Sequence, residues 1–157
     1  MIDRLELKEN MMVMELGPGP GYFSIKVANI LTKGCLVIAD IQPKMLYLAE
    51  KRIKKRKITN VEISLCNGTF FDFIDETFDR VFMVAVLGEV ENKNNYMHEF
   101  HRVLKNGGIL SVSELAGDSD KMTIESIREL GTNSGFSFLK QYVNRWSYTV
   151  NFLKESR

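Results

Sequence analysis

The chain has 157 residues, enough for one domain of ordinary size and too few for two. Its 21 basic residues nearly balance its 20 acidic ones, so a net charge of +1 gives no bulk attraction to nucleic acid or membrane. The longest apolar run, Val81 to Leu87, covers seven residues, far short of the ~20 that span a bilayer. The opening MIDRLELKEN is charged throughout and does not read as a signal peptide, so a cytoplasmic protein is expected. Two cysteines, Cys35 and Cys66, cannot build a disulfide framework and read as a pair of buried thiols.

In chain order, strands are expected at Met11–Leu16, Cys35–Asp40, Val61–Cys66, Asp79–Val86 and Gly108–Leu115. Their nearly continuous apolar character suits a parallel sheet buried on both faces. Between them, Phe23, Val27, Ile30 and Leu31 fall on one helical stripe, as do Met45, Ala49 and Ile53, and then Met97, Phe100 and Leu104. A further helix is expected from about Lys121 to Ser134, capped from within Asp118 to Asp120. Phe136–Asn144 and Trp146–Lys154 are aromatic and β-branched runs with almost nothing between them, which permits only an antiparallel hairpin. The expected architecture is α/β, with helices on both faces of a mostly parallel sheet that ends in an antiparallel pair.

The most informative stretch is Glu15-Leu16-Gly17-Pro18-Gly19-Pro20-Gly21, joining the first strand to the first helix. The prolines stiffen the loop, and the glycines remove Cβ atoms where a ligand approaches the backbone. In an open α/β sheet, ligands bind beyond the carboxyl ends of the strands at such a turn. Helix N-terminal amides there favour carboxylate or phosphate. The dinucleotide fingerprint G-x-G-x-x-G would need a third glycine where Tyr22 stands; here the spacing is G-x-G-x-G. Asp40 ends the second strand 19 residues after Gly21, placed to accept both hydroxyls of an adenosine ribose.

With these residues in hand, the chain resembles the class I S-adenosylmethionine-dependent methyltransferases over nearly its whole length. VMELGPGPGYFS resembles the family's first motif, VIADIQPKML its second, and HEFHRVLKNGGILSVSE its helix, turn and fifth strand. NGTFFDFIDETFDRVFMVAVLGEV is similar to the family's third and fourth strands with their intervening adenine-contacting loop. The resemblance implies a Rossmann-like three-layer αβα sandwich with seven strands in the order 3-2-1-4-5-7-6, one domain over residues 1–157. The cofactor implied is S-adenosyl-L-methionine, and the reaction is in-line methyl transfer to an acceptor that the sequence leaves unidentified.

Carried over by position, Gly17, Pro18, Gly19 and Gly21 form the loop beside the methionine part of the cofactor. Glu15 fixes that loop and reaches the amino group, Asp40 takes the ribose hydroxyls, and Ile41 lies beside adenine. Asn67, in place of the usual aspartate, meets the adenine amino group with Gly68. Ala85, Val86 and Leu87 lie near the sulfonium and its methyl. Asn106 replaces the proline of the family's RVLKPGG turn, where Asn-Gly still turns well.

No residue is assigned as catalytic, because a general base is needed only if the acceptor must lose a proton. Glu89 stands at the expected acceptor mouth, with Glu114 and Asp118 facing the same side. Tyr22 and Phe23 open the first helix, Tyr22 as a pocket residue and Phe23 as core. His98 and His101 lie three apart on a helix outside the expected active site, so no metal is expected; Cys66 is read as packing. The run Lys51–Lys57 holds six of the basic residues and reads as a solvated helix face.

The first motif begins only about ten residues from Met1, leaving no room for N-terminal helices that cover the acceptor site in many family members. A large acceptor or a second subunit, whether a homodimer partner or another chain, would then cover it, or the chain is a minimal or shortened core. Two rival readings stand beside methyl transfer. One is a non-catalytic S-adenosylmethionine-binding subunit of a larger assembly; the other is a nicotinamide-dependent oxidoreductase, which Tyr22 and the terminal hairpin oppose.

Overall fold

Strand β1 (Met12–Leu16) opens the fold in a computed structural model that describes residues 1–156. It is followed by α1 (Tyr22–Ile30), β2 (Cys35–Asp40), α2 (Pro43–Lys55) and β3 (Val61–Leu65). Then come β4 (Phe78–Val84), α3 (Lys93–Val103), β5 (Leu104–Leu115) and α4 (Ile124–Asn133), and finally β6 (Ser137–Val143) and β7 (Ser147–Leu153). The sheet has seven strands in the order β3-β2-β1-β4-β5-β7-β6. The first five pair in parallel, while β7 runs antiparallel to both β5 and β6. The expected topology holds, with the hairpin closing one edge.

Alternation along the strands divides the core into two layers. Val13, Leu36, Ile38 and Phe82 face α1 and α2, meeting Val27, Leu46, Ala49 and Ile53. Met14, Val37, Met83, Leu110 and Val112 face α3 and α4, meeting Met97, Phe100 and Ile127. Each fully buried Leu, Ile or Phe side chain contributes about 2 kcal/mol by leaving water. Central strands β1 and β2 are buried on both faces as expected, but the edges differ: β3 and β6 are largely exposed, each having one neighbour. Ile30, expected inward, is exposed; Leu46 fills the core on α2 instead.

Several boundaries move for identifiable reasons. β4 stops at Val84, not Val86, because Ala85 turns into the left-handed region at φ 54°. β5 begins at Leu104, not Gly108: Gly107 N–H donates to Lys154 O at 2.8 Å and Lys154 N–H to Gly108 O at 3.0 Å, so the Asn-Gly segment stays paired. The last helix is shorter than expected and is capped by Thr123, whose side chain accepts from Ser126 N–H. Asp118, one of the expected caps, instead accepts from Asp120 N–H within its own loop at 3.0 Å. Cys66 is buried, but Cys35 is only half-buried, so the expected buried pair is one thiol.

On the α1/α2 face, β5 and β7 present a buried polar strip that the sequence pattern conceals. Ser113 and Thr149 hydroxyls lie 2.7 Å apart, and Arg4 from the N-terminal 3-10 turn (Ile2–Leu5) donates to Thr149 at 2.9 Å. Asn151 Nδ2 donates to Arg4 O at 2.8 Å. Among the described residues no helix is long and apolar enough to cross a membrane.

Gly131 on α4 packs directly on the fully buried Phe152 ring, where an added Cβ would fall on ring carbons. Alanine is the better helix former by about 1 kcal/mol, but overpacking a rigid ring costs about 1–3 kcal/mol. Gly131→Ala is therefore expected to lower the thermal midpoint by several degrees in calorimetry, against the helix-propensity trend.

Candidate functional site

The carboxyl ends of β1, β2 and β4 open into a cleft of about 760 Å³. Its wall brings together Gly17, Gly19, Asp40, Ile41, Asn67, Gly68, Ala85 and Val86, all expected from sequence. Leu16, Gln42, Met45, Thr69, Val84 and Tyr96 join them, with Glu89, Val90, Glu91 and Asn92 along one side.

Three glycines of the loop serve three different purposes. Gly17 (φ 65°) donates its N–H to Ala39 O at 2.9 Å, and a Cβ there would lie 2.5 Å from Val86 Cγ2. Gly21 (φ 84°) lets α1 approach α2, since its Cβ would sit 3.2 Å from Ala49 Cβ. Gly19 (φ 52°) lines the cleft, and a Cβ there would meet nothing within 4 Å. Pro18 and Gly21 shape the turn, Gly21 N–H donating to Pro18 O at 3.0 Å, and neither forms the cleft wall.

Glu15 lies below the loop and is almost fully buried. Ser24 Oγ, on the first turn of α1, donates to Glu15 Oε2 at 2.5 Å, tying the strand before the loop to the helix after it. Burial pushes this carboxyl up to about 7, and the Ser24 hydrogen bond offsets part of the rise. Glu15 thus supports the loop and is not part of the cleft wall. Leu87 is also absent from the wall, being fully buried in the core.

Asp40 sits at the end of β2, buried, with Oδ1 accepting Gln42 N–H at 2.9 Å. Among the described residues no donor engages its other carboxylate oxygen. Asn67 is occupied differently. Its Oδ1 accepts from Thr69 N–H, Thr69 Oγ1–H and Phe70 N–H at 3.0, 2.9 and 3.1 Å. Three donors fix which side-chain atom is oxygen and leave only the amide NH₂ to offer a ligand. An amide donor of this kind suits a ring nitrogen, whereas an exocyclic amino group would need the occupied oxygen. Behind this loop, burial raises the Cys66 thiol, and burial with Cys66 and Asp40 nearby pushes the Tyr96 hydroxyl up to about 12. Tyr96 was missed in sequence because the α3 stripe through Met97 and Phe100 accounts for the helix without it.

On the outer side, Glu89 and Glu91 are exposed, and Asp118 is half-exposed. Glu114 is fully buried, and neither of its carboxylate oxygens has a hydrogen-bond partner. Desolvation pushes it up to about 7, with Asp118 the largest neighbouring charge. Tyr22 is exposed outside the cleft wall, with Arg52 stacked 4.1 Å from its ring centroid, while Phe23 packs partly into the core. His98 and His101 lie on α3 beside a second hollow with Asp75, Glu76 and Arg102. Among the described residues no three His, Cys, Asp or Glu side chains group to hold a metal ion. Apart from Arg52, the Lys51–Lys57 run is exposed except where Ile53 turns inward.

An adenosyl ligand with an amino-acid tail fits this donor set. The Gly17–Gly19 backbone is bare where the tail would lie, Asp40 keeps an unengaged acceptor for sugar hydroxyls, and Asn67 keeps a donor for a purine nitrogen.

A family profile described as a methyltransferase domain matches residues 7–152. The ubiquinone/menaquinone biosynthesis C-methyltransferase of Haemophilus ducreyi is 32% identical over 117 residues, 73% of this chain and 45% of that protein. The demethylmenaquinone methyltransferase of Tropheryma whipplei is 36% identical over 104 residues, 66% of this chain and 41% of that protein. The chain therefore spans less than half the length of these two curated relatives. A solved S-adenosylmethionine-dependent methyltransferase from Aquifex aeolicus superposes with a TM-score of 0.91 at 20% identity, covering 97% of this chain and 86% of that one.

Proposed function

This chain belongs to the class I S-adenosylmethionine-dependent methyltransferase family, and from that premise we propose that its cleft binds S-adenosyl-L-methionine for transfer of the methyl group to an acceptor. The observation that carries the reading is the convergence of Gly19, Asp40 and Asn67 on one cleft. In the proposal, the Gly17–Gly19 backbone holds the amino-acid tail and Asp40 takes the ribose hydroxyls. Ile41 and Met45 lie against the base, with Asn67 and Gly68 donating to its ring nitrogens.

The bound group supplies a methyl on a positively charged sulfur, already activated for displacement. The chain's part is placement. Holding the acceptor in line behind the methyl lowers the barrier by several kcal/mol, and Leu16, Val84 and Val86 exclude water from the inner wall. Strain at Ala85, a non-glycine residue in the left-handed region, turns the β4 backbone into that wall. Exposed Glu89, Glu91 and Asn92 leave the acceptor side open for a second copy or a partner subunit to cover. Light scattering with and without ligand tests that arrangement.

Asp40→Ala removes a charge-assisted acceptor for two hydroxyls and is expected to weaken S-adenosylhomocysteine binding at least tenfold, about 1.5 kcal/mol. Calorimetric titration reads this directly, and unchanged affinity would remove Asp40 from the ribose site. Enzyme and silent binding subunit separate in a radiolabelled methyl-transfer assay over acceptor pools: incorporation lost in Gly19→Arg marks catalysis.

A further inference from the structure

The loop that carries Asn67 and Gly68 is held by the start of α3. Asn92 caps that helix, its Oδ1 accepting Asn95 N–H at 3.1 Å. Asn95 Nδ2 in turn donates to Thr69 O, and Glu99 Oε2, one turn on, accepts Phe71 N–H at 3.0 Å. Arg102 Nη2 donates to Phe71 O at 2.9 Å. Tyr96 follows Asn95 on the buried face of α3, its ring edge-on to Phe71 at 5.7 Å and tilted against Phe100 at 5.9 Å. Ring and loop are thereby fixed to one another, and Tyr96 joins the cleft wall.

Gly68 shows where the Tyr96 hydroxyl stands. A Cβ built on Gly68 (φ 84°) would sit 3.5 Å from Tyr96 Oη and 3.9 Å from Ile41 Cγ2. The hydroxyl and the side chain proposed to lie against the base therefore flank one point of the cleft. Burial is the main reason that this hydroxyl keeps its proton up to about 12. It meets a ligand as a neutral group with one hydrogen and two lone pairs.

An adenine edge offers ring nitrogens that accept and an exocyclic amine that donates. Asn67 serves the first kind only, because Thr69 N–H, Thr69 Oγ1–H and Phe70 N–H occupy its oxygen. Ile41 is apolar and Met45 has only a weak thioether acceptor. Thr69 has already committed its hydroxyl hydrogen to Asn67 and its carbonyl to Asn95. We infer that the Tyr96 hydroxyl accepts from the exocyclic amine of the base, and so sets the preference for an aminopurine over a purine without that group. The inference rests on the S-adenosylmethionine reading above. Tyr96→Phe isolates it, since the ring stays packed on Phe71 and Phe100 while the acceptor is lost.

The test compares S-adenosylhomocysteine with its purine riboside counterpart, in which hydrogen replaces the amino group, by calorimetric titration of the full chain. The parent is expected to bind S-adenosylhomocysteine at least about fivefold tighter, the scale of one hydrogen bond. In Tyr96→Phe the two affinities should become equal, through loss on the amino compound alone, with a melt close to the parent's. Equal affinities in the parent overturn the assignment before any variant is made. A preference that survives in Tyr96→Phe does the same, because it places the acceptor on another group such as Thr69. An equal loss for both compounds also overturns it, as the mark of a merely structural hydroxyl. Saturable S-adenosylhomocysteine binding by the parent is measured first. Its absence would remove the cofactor reading, whereas binding without discrimination removes only the role of Tyr96.

Discussion

Gly19→Arg is expected to melt close to the parent protein and to lose S-adenosylhomocysteine binding by at least ~100-fold, about 2.7 kcal/mol. The two halves of that result come from one geometric fact. A Cβ at Gly19 meets no atom within 4 Å, so a side chain there displaces solvent and not protein. Its φ of 52° charges a non-glycine residue about 1–2 kcal/mol of strain, which bounds the loss of stability. The side chain then occupies the part of the cleft that the ligand's amino-acid tail needs. Gly17 makes the contrast, because even a methyl there lies 2.5 Å from Val86 Cγ2, and loss of binding would be confounded with loss of fold. Calorimetric titration beside a thermal melt separates the variants; a Gly19→Arg protein of parental affinity would show that this loop holds no ligand.

Stability against pH gives the second large effect. Glu15 and Glu114 are both raised from 4.5 to about 7 by burial. A raised carboxyl holds its proton in the folded state after the unfolded chain has lost it, so stability is highest below pH 4.5 and falls as pH climbs to about 7. Above that the curve is flat. At ~1.4 kcal/mol per unit, each group contributes a decline of about 3–4 kcal/mol. Glu99, lowered chiefly by its Arg102 hydrogen bonds, acts oppositely, its stabilisation being lost as pH falls below the ordinary carboxylate range. Urea unfolding across this range is expected to show the decline in the parent and about half of it in Glu114→Gln. A parent curve that rises from pH 4.5 to 7 would contradict the burial of both acids.

What the sequence discloses and what it hides divide along the range of the interactions involved. The glycine loop, Asp40 and the order of strands are legible because their signals are local: glycine spacing, an acid at a strand end, apolar runs of strand length. The different duties of Gly17, Gly19 and Gly21 are not, since they depend on Val86 and Ala49, distant in the chain. Asn67 shows the same limit. Its identity suggests an amide that both accepts and donates, yet the turn through Thr69 and Phe70 consumes the acceptor. Glu114 reads as a residue facing the acceptor side, yet it is fully buried and outside the cleft wall. The moved ends of β4 and β5 have one origin too, in backbone pairing and a left-handed Ala85 that residue preferences do not register.

The most direct measurement is calorimetric titration of the purified chain with S-adenosylhomocysteine and, separately, with NADH. One saturable site for the first and none for the second is the predicted result. Heat from NADH alone, or from neither compound, would contradict the assignment of this cleft.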